Sequence, residues 1–269
     1  MTVGFLAEVV RETRESIARP TYASGLEPRA APKSHPSLRQ AVESAGANGA
    51  LLVEFKRASP GAELPALPTR SVADFVRETA PSGPSAYSCI ATEPRFGGSP
   101  DDVAALVTRT DLPVLFKDFV VDPVQIEAAD RAGASAILLI ARLETEGLLT
   151  TPLAELGRLA HERSLEVLLE FHERSELSRV ANVAADVYGV NVRDLDTLRM
   201  EPAVAAATIR AAGGRRPLLG LSGVAGPSDA RRFWELGVDG ILVGSAVARA
   251  TDPARLVRSL RRPVPGGAQ

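Results

Sequence analysis

Four ionisable residues of this chain sit in apolar surroundings: Glu54 and Lys56 in LLVEFK, Lys117 in PVLFK, and Glu170 in LEVLLEF. Of the 31 basic residues only three are lysine, Lys33, Lys56 and Lys117, and the rest are arginine. A composition so tilted toward arginine leaves lysine mainly where arginine cannot substitute. Lysine is a compact ammonium that gives and takes protons once burial lowers its pKa, whereas arginine stays charged. Lys33 lies in a Pro-rich loop and reads as surface. Lys56 and Lys117 each close an apolar run. Glu54 precedes Lys56 by two, so on a strand both side chains point to one side. Two ammonium and two carboxylate groups in a partly dry cavity can do general acid and base chemistry, because neighbours and burial tune each of them. The same four residues also fit a salt-bridge network that only plugs a fold.

Apolar runs of strand size alternate with amphipathic stretches from Leu51 onward. Strands are expected at 51–55, 86–91, 113–117, 136–141, 165–171, 186–191, 217–222 and 240–244. Helices are expected at 71–80, 99–109, 122–133, 175–184, 202–212, 226–237 and 252–260, with 144–163 mainly helical but interrupted at Gly147 and Pro152. Residues 3–18 form a further helix, followed by a Gly- and Pro-punctuated loop. Eight strand–helix units predict an α/β fold, a (β/α)8 TIM barrel with an extra N-terminal helix partly covering its top. It is read as one domain over 1–269, with 1–50 as N-terminal extension and 51–262 as barrel. An open doubly wound sheet is the competitor, but the first turn, KRASPG, lacks a GxGxxG pattern.

In such barrels chemistry sits where strands end. Those ends carry Glu54, Lys56, Arg57 and Ser59, then Phe96, then Lys117, Asp118 and Phe119, then Glu170 and His172, then Asn191, Arg193 and Asp194. Ser222-Gly223 and Gly244-Ser245 close the last two strands, where this fold often binds phosphate through backbone N–H groups; Arg57 could add a cation there. SG and GS dipeptides by themselves usually mean only turns. Phe96 and Phe119 fit either a clamp for a flat ring or core packing, and His172 either the edge of a site or a structural role. His35, His161, Phe233 and Trp234 read as surface or packing residues.

Composition narrows the classes. At 269 residues and 45% apolar content the chain can bury a core, and no apolar run approaches a membrane span. The N-terminal residues mix acid and base, unlike a secretory signal. A net charge of −2 gives no field for nucleic acid, and Cys89 is alone, so neither a disulfide nor a zinc cluster is expected. The expectation is a cytoplasmic protein without metal, nucleic-acid or membrane partners, a monomer or weak homo-oligomer.

The series EFKRASP, RFGGS, PVLFKDFVVDPVQI, AILLIA, LLEFHE, GVNVRDL, SGV and ILVGSA, running in order from Leu51 to the last helix, resembles the indole-3-glycerol phosphate synthase family of tryptophan biosynthesis. That resemblance implies a cofactor-free carboxy-lyase. Its substrate is a phosphorylated anthranilate adduct, 1-(2-carboxyphenylamino)-1-deoxyribulose 5-phosphate. It also implies roles. Lys117 is the acid for ring closure, Lys56 the acid and Glu54 the base of dehydration, and Glu170 orients and tunes them. Ser59, Asn191 and Arg193 hold substrate, Phe96 and Phe119 line its aromatic pocket, and Arg57, Ser222, Gly223, Gly244 and Ser245 surround its phosphate. Two departures stand out. The family usually reads Glu-Ser-Gly where this chain reads Leu221-Ser222-Gly223, placing an apolar group against the substrate. Its mobile first loop usually reads Ser-Pro-Ser-Lys-Gly, where this chain reads Ser59-Pro60-Gly61-Ala62-Glu63. Those departures leave two alternatives: a diverged paralogue acting on a modified anthranilate adduct in a specialised pathway, or a non-catalytic phosphate-ligand binder.

Overall fold

The computed structural model describes residues 4–19, 22, 35–60 and 67–263. Eight strands, β1 (Ala50–Phe55), β2 (Ala86–Ile90), β3 (Val114–Lys117), β4 (Ala136–Ile140), β5 (Glu166–Phe171), β6 (Val187–Asn191), β7 (Leu218–Leu221) and β8 (Gly240–Val243), pair in parallel in sequence order. β1 also pairs with β8, with Leu51 opposite Ile241, which closes the barrel. The helices are α1 (Phe5–Ile17), α2 (Leu38–Ala45), α3 (Val72–Thr79), α4 (Pro100–Val107), α5 (Pro123–Ala132), α6 (Ala141–Thr145), α7 (Leu153–Glu162), α8 (Glu176–Arg179), α9 (Pro202–Ala212), α10 (Pro227–Glu235), α11 (Ser245–Arg249) and α12 (Pro253–Ser259).

Local chemistry starts the helices as the sequence requires. Proline opens α4, α5, α9, α10 and α12, where its missing N–H costs nothing. Asp122 and Gln125 form a reciprocal capping box on α5. Alternation along each strand then builds two cores. Val53, Phe55, Phe116, Ile137 and Leu139 face the helix layer, while Leu52, Leu115, Leu138, Leu168, Leu219 and Leu242 fill the barrel. Besides the short helices α6 and α11, whose starts the sequence reading does not give, two elements differ from it. Helix α2, which periodicity did not single out, buries Leu38 and Val42 against the barrel interior's N-terminal end, where Glu166 at the start of β5 accepts the Arg39 N–H at 2.9 Å. The helix expected at 175–184 is a single turn, α8. The buried residues Leu177, Val180 and Val183 recur every three positions, which suits tight turns better than a 3.6-residue repeat. Among the described residues no helix is long and apolar enough to cross a membrane.

Helix α1 lies over the C-terminal end of the strands and buries Leu6, Val9 and Val10 with the interior core. Its outer side is held by Arg95, which bonds Glu8 at 2.8 Å and Glu12 at 2.8 and 2.9 Å and lies over the Phe5 ring at 4.9 Å. Arg95 adopts a left-handed backbone (φ 62°), a conformation that costs a non-glycine residue stability and here aims the side chain at the helix. Arg19 adds a pair to Glu93 at 2.8 Å. Exposed pairs of this kind are weak and screened by salt. Arg95→Ala should therefore leave the melting temperature within about 2–3 °C, while amide hydrogen exchange in α1 accelerates severalfold. High salt should reproduce that acceleration in the unmodified protein. Unchanged exchange in α1 would show that its apolar face alone holds it.

Candidate active site

A cavity of about 1080 Å³ opens at the C-terminal end of the strands. Strand alternation turns Glu54 and Lys56 into it, and β3 delivers Lys117 from the side. Lys56 Nζ lies 2.8 Å from Glu54 Oε1, and Lys117 Nζ lies 3.7 Å from Glu54 Oε2. One buried carboxylate is thus flanked by two ammonium groups. Burial by itself would raise the Glu54 pKa, but the charges of Lys56 and Lys117 outweigh it and hold the carboxyl below its ordinary value. The Lys117 side chain is the more open of the two lysines, 23% exposed against 11% for Lys56. It is the one best placed to meet an incoming molecule.

Glu170 faces the same cavity from β5. Its Oε1 accepts the Asn191 side-chain N–H at 3.0 Å, and its buried Oε2 has no hydrogen-bond partner among the described residues. Burial pushes its pKa up, against the opposing pull of Lys117 and Asn191. Asn191 Oδ1 in turn accepts the Arg193 backbone N–H at 3.0 Å, and the Arg193 guanidinium donates to the Leu198 carbonyl at 2.7 Å. Burial lowers the Arg193 pKa from its ordinary value. Asp118, next to Lys117, accepts from Thr92 at 2.6 Å, from the Phe119 N–H at 2.8 Å and from Gln125 at 2.8 Å. This buried carboxylate fixes the turn that carries Lys117 and Phe119. Of its other anchors, Gln125 lies in the DPVQI stretch of the family resemblance, and Thr92 is not singled out by the sequence.

The wall is apolar. Phe96 and Phe119 lie 6.0 Å apart at the mouth with Phe5, and Leu138, Leu221 and Leu242 line the interior. Leu221 is buried beside Asn191 and Leu242 in register, inside the cavity as its strand position requires. Ser222, Gly223, Gly244 and Ser245 form the opposite rim. Ser222 and Gly223 take left-handed backbones (φ 63° and 75°), turning the chain sharply after β7. A Cβ on Gly244 would press into the Glu54 carboxylate and lie 2.7 Å from Lys56 Cε, so glycine is what lets this rim touch the charged pair. Ser59 also lines the cavity, whereas residues 61–66 of the first loop lie outside the described residues, as does Lys33.

One expected site residue is elsewhere. Arg57 is one position out of phase with Lys56, so its side chain leaves the barrel. It bonds Asp102 through Nε at 2.7 Å and Nη2 at 2.5 Å and lies over the Phe55 ring at 5.4 Å. It does not line the cavity; Arg232, Arg249 and Arg255 do. His172 is buried behind β5 and is not part of the lining.

The order of these elements and charged groups matches a known pattern. The profile of the indole-3-glycerol phosphate synthase family covers residues 6–260. The chain belongs to this family. Indole-3-glycerol phosphate synthases of Staphylococcus aureus, from strains bovine RF122 / ET3-1 and JH1, are 35% identical over 212 residues, 79% of this chain and 79% of each relative. Among solved structures, the tryptophan synthase alpha subunit of Legionella pneumophila superposes with TM-score 0.59 at 17% identity, covering 82% of this chain and 95% of that one. Thiamine phosphate pyrophosphorylase of Pyrococcus furiosus superposes with TM-score 0.57 at 17% identity, covering 81% and 95%. At that identity the structural neighbours share the fold alone.

The state of Glu170 can be read from stability. A carboxyl whose folded pKa is raised contributes stability that is fully present below its unfolded value, about 4.3, and lost as pH rises through the folded value. Glu170→Gln mimics the protonated form at every pH. Its melting temperature should match the unmodified protein near pH 4 and exceed it increasingly toward pH 8. Parallel melting curves across that range would show that burial does not disfavour the ionised group.

Proposed function

We propose that this chain catalyses the indole-3-glycerol phosphate synthase reaction. It closes the pyrrole ring of 1-(2-carboxyphenylamino)-1-deoxyribulose 5-phosphate, releases carbon dioxide and then loses water. The observation that carries the proposal is the Glu54 carboxylate between the Lys56 and Lys117 ammonium groups at the cavity floor. The chemistry needs two proton donations, to the ketone oxygen as the aromatic carbon attacks it and to the hydroxyl that later leaves as water. It also needs a base for a ring proton.

Lys117, the more accessible lysine, donates to the ketone oxygen and leaves a hydroxyl. Breaking the bond to the carboxylate carbon releases carbon dioxide and returns its electron pair to the ring. Lys56 then protonates the hydroxyl as it departs, and Glu54, kept ionised by its neighbours, takes the proton that restores aromaticity. Glu170 and Asn191 hold the polar groups in line, with Ser59 and Arg193 on the substrate and Arg193 toward its carboxylate. Phe96, Phe119 and Leu221 face the aromatic ring. Ser222, Gly223, Gly244 and Ser245 receive the phosphate, with cations from the cavity arginines rather than Arg57. We assign the enzyme to the cytoplasm, where its phosphorylated substrate would be made.

The purified protein supplied with the adduct alone should yield a fluorescent indole product and carbon dioxide in equal amounts; no product would refute the reading. Lys117→Arg keeps the charge but holds its proton about two pH units more tightly or more, and it exchanges a point donor for a fork. Turnover should fall by roughly 10²–10⁴-fold, the range a positioned acid supplies. A loss below about tenfold would reduce Lys117 to a substrate-holding role.

A further inference from the structure

Behind the cavity, β5, β6 and the start of α9 meet around His172, which is 3% exposed. Its Nδ1 lies 2.9 Å from the Asn191 carbonyl oxygen, and its Nε2 lies 3.0 Å from Glu201 Oε2 and 3.6 Å from Asp194 Oδ2. The Asn191 carbonyl can only accept, so the bond at Nδ1 needs the ring proton there, and Nε2 faces two carboxylates. Glu201 comes from the residue before α9 and Asp194 from the loop after β6. Glu176 of α8 accepts the His172 backbone N–H at 2.7 Å, and Arg142 of α6 bonds both Glu176 and Asp194. His172, Asp194 and Glu201 cluster closely enough to suggest a cation site. The Asp194 oxygen aimed at the ring already receives the Arg142 guanidinium, so hydrogen bonds account for the arrangement.

Asn191 gives this network a functional direction. Its carbonyl is bonded by His172, its side-chain N–H holds Glu170 Oε1 at 3.0 Å, and its Oδ1 takes the Arg193 N–H at 3.0 Å. The C-terminal end of β6 is thereby fixed at three points, two of which reach the cavity. Without the His172 bond the Asn191–Val192 peptide keeps its sheet bond, Val192 N–H to the Leu221 carbonyl at 3.0 Å, but its carbonyl loses the His172 partner, and the amide that orients Glu170 can shift with it. We propose that His172 is a positioning residue for the reaction: its Nδ1–H pins the Asn191 carbonyl and so aims the amide that holds Glu170. The inference rests on reading Glu170 and Asn191 as members of the reacting cluster.

Two conservative variants separate the two ring bonds. His172→Asn puts an amide nitrogen near the Nδ1 position, facing Asn191, whereas His172→Gln puts one near the Nε2 position, facing Glu201. Each forgoes one of two bonds, so both should lose similar amounts of thermal stability. His172→Asn should keep kcat within about twofold, and His172→Gln should lower kcat roughly five- to tenfold, the rate equivalent of one hydrogen bond, with a smaller change in KM. If kcat tracks the melting temperature in both variants, or if the order is reversed, His172 is only structural and the proposal fails. Glu170→Gln, measured alongside, separates this from the parent reading. Undiminished kcat there removes the cluster assignment and this inference with it. A slow Glu170→Gln beside equally fast His172 variants overturns the His172 role alone. Should a variant not fold, nitrogen-15 spectra of the unmodified protein decide, because only three histidines contribute. A slowly exchanging proton on His172 Nδ1 is expected, and an unprotonated Nδ1 overturns the proposal.

Discussion

A carboxylate removed from water inside a barrel is costly unless opposite charge stands beside it, and Glu54 has two ammonium groups there. That triplet sets much of the design around it. The three residues must come from β1 and β3, so the first three strands must hold a register that brings Phe55 beside Cys89 and Ile90 beside Lys117. The rim after β8 must come close enough to cover the pair, which requires a residue without a side chain at Gly244. The same arrangement creates reactivity. An ionised carboxylate in a dry cavity can accept a proton and the ammonium groups beside it can give one, which is the basis of the acid and base roles proposed for them.

Glu170 has the opposite environment within the same cavity. Its hydrogen-bond partner among the described residues is one amide, and burial raises its pKa where the two lysine charges lower that of Glu54. Two glutamates of one barrel are thus tuned in different directions by what stands next to them, which separates their proton affinities without any difference in side-chain chemistry.

The cavity rim is held by buried polar anchors rather than by the strands alone. Asp118 fixes the turn after Lys117, and Arg142 joins α6 to Glu176 and Asp194. Below them the interior leucines fill the barrel, α2 seats Leu38 and Val42 at its N-terminal end, and α1 buries Leu6 and Val9 at the other. The cavity is the part of the interior left open between that packed column and α1. A strand-end position and a loop depart from the family pattern around such a frame, Leu221 closing β7 and the first loop, while the charged groups stay in place.

The sequence by itself determined the eight strands, most helix starts and the side of the sheet each strand residue faces. These depend on backbone period, proline geometry and capping, which act over a few residues. It therefore placed Glu54 with Lys56 and put Lys117, Glu170 and Asn191 at strand ends. The same alternation sends Arg57 out of the barrel, but its partner Asp102 is 45 residues away, and no local pattern announces that bond. The shortened α8, the docking of α2 and the ring of groups around His172 were likewise decided by tertiary structure. Each depends on polar or apolar side chains from separate elements meeting only after the barrel has closed, and a buried polar group takes whichever partner that closure brings within reach.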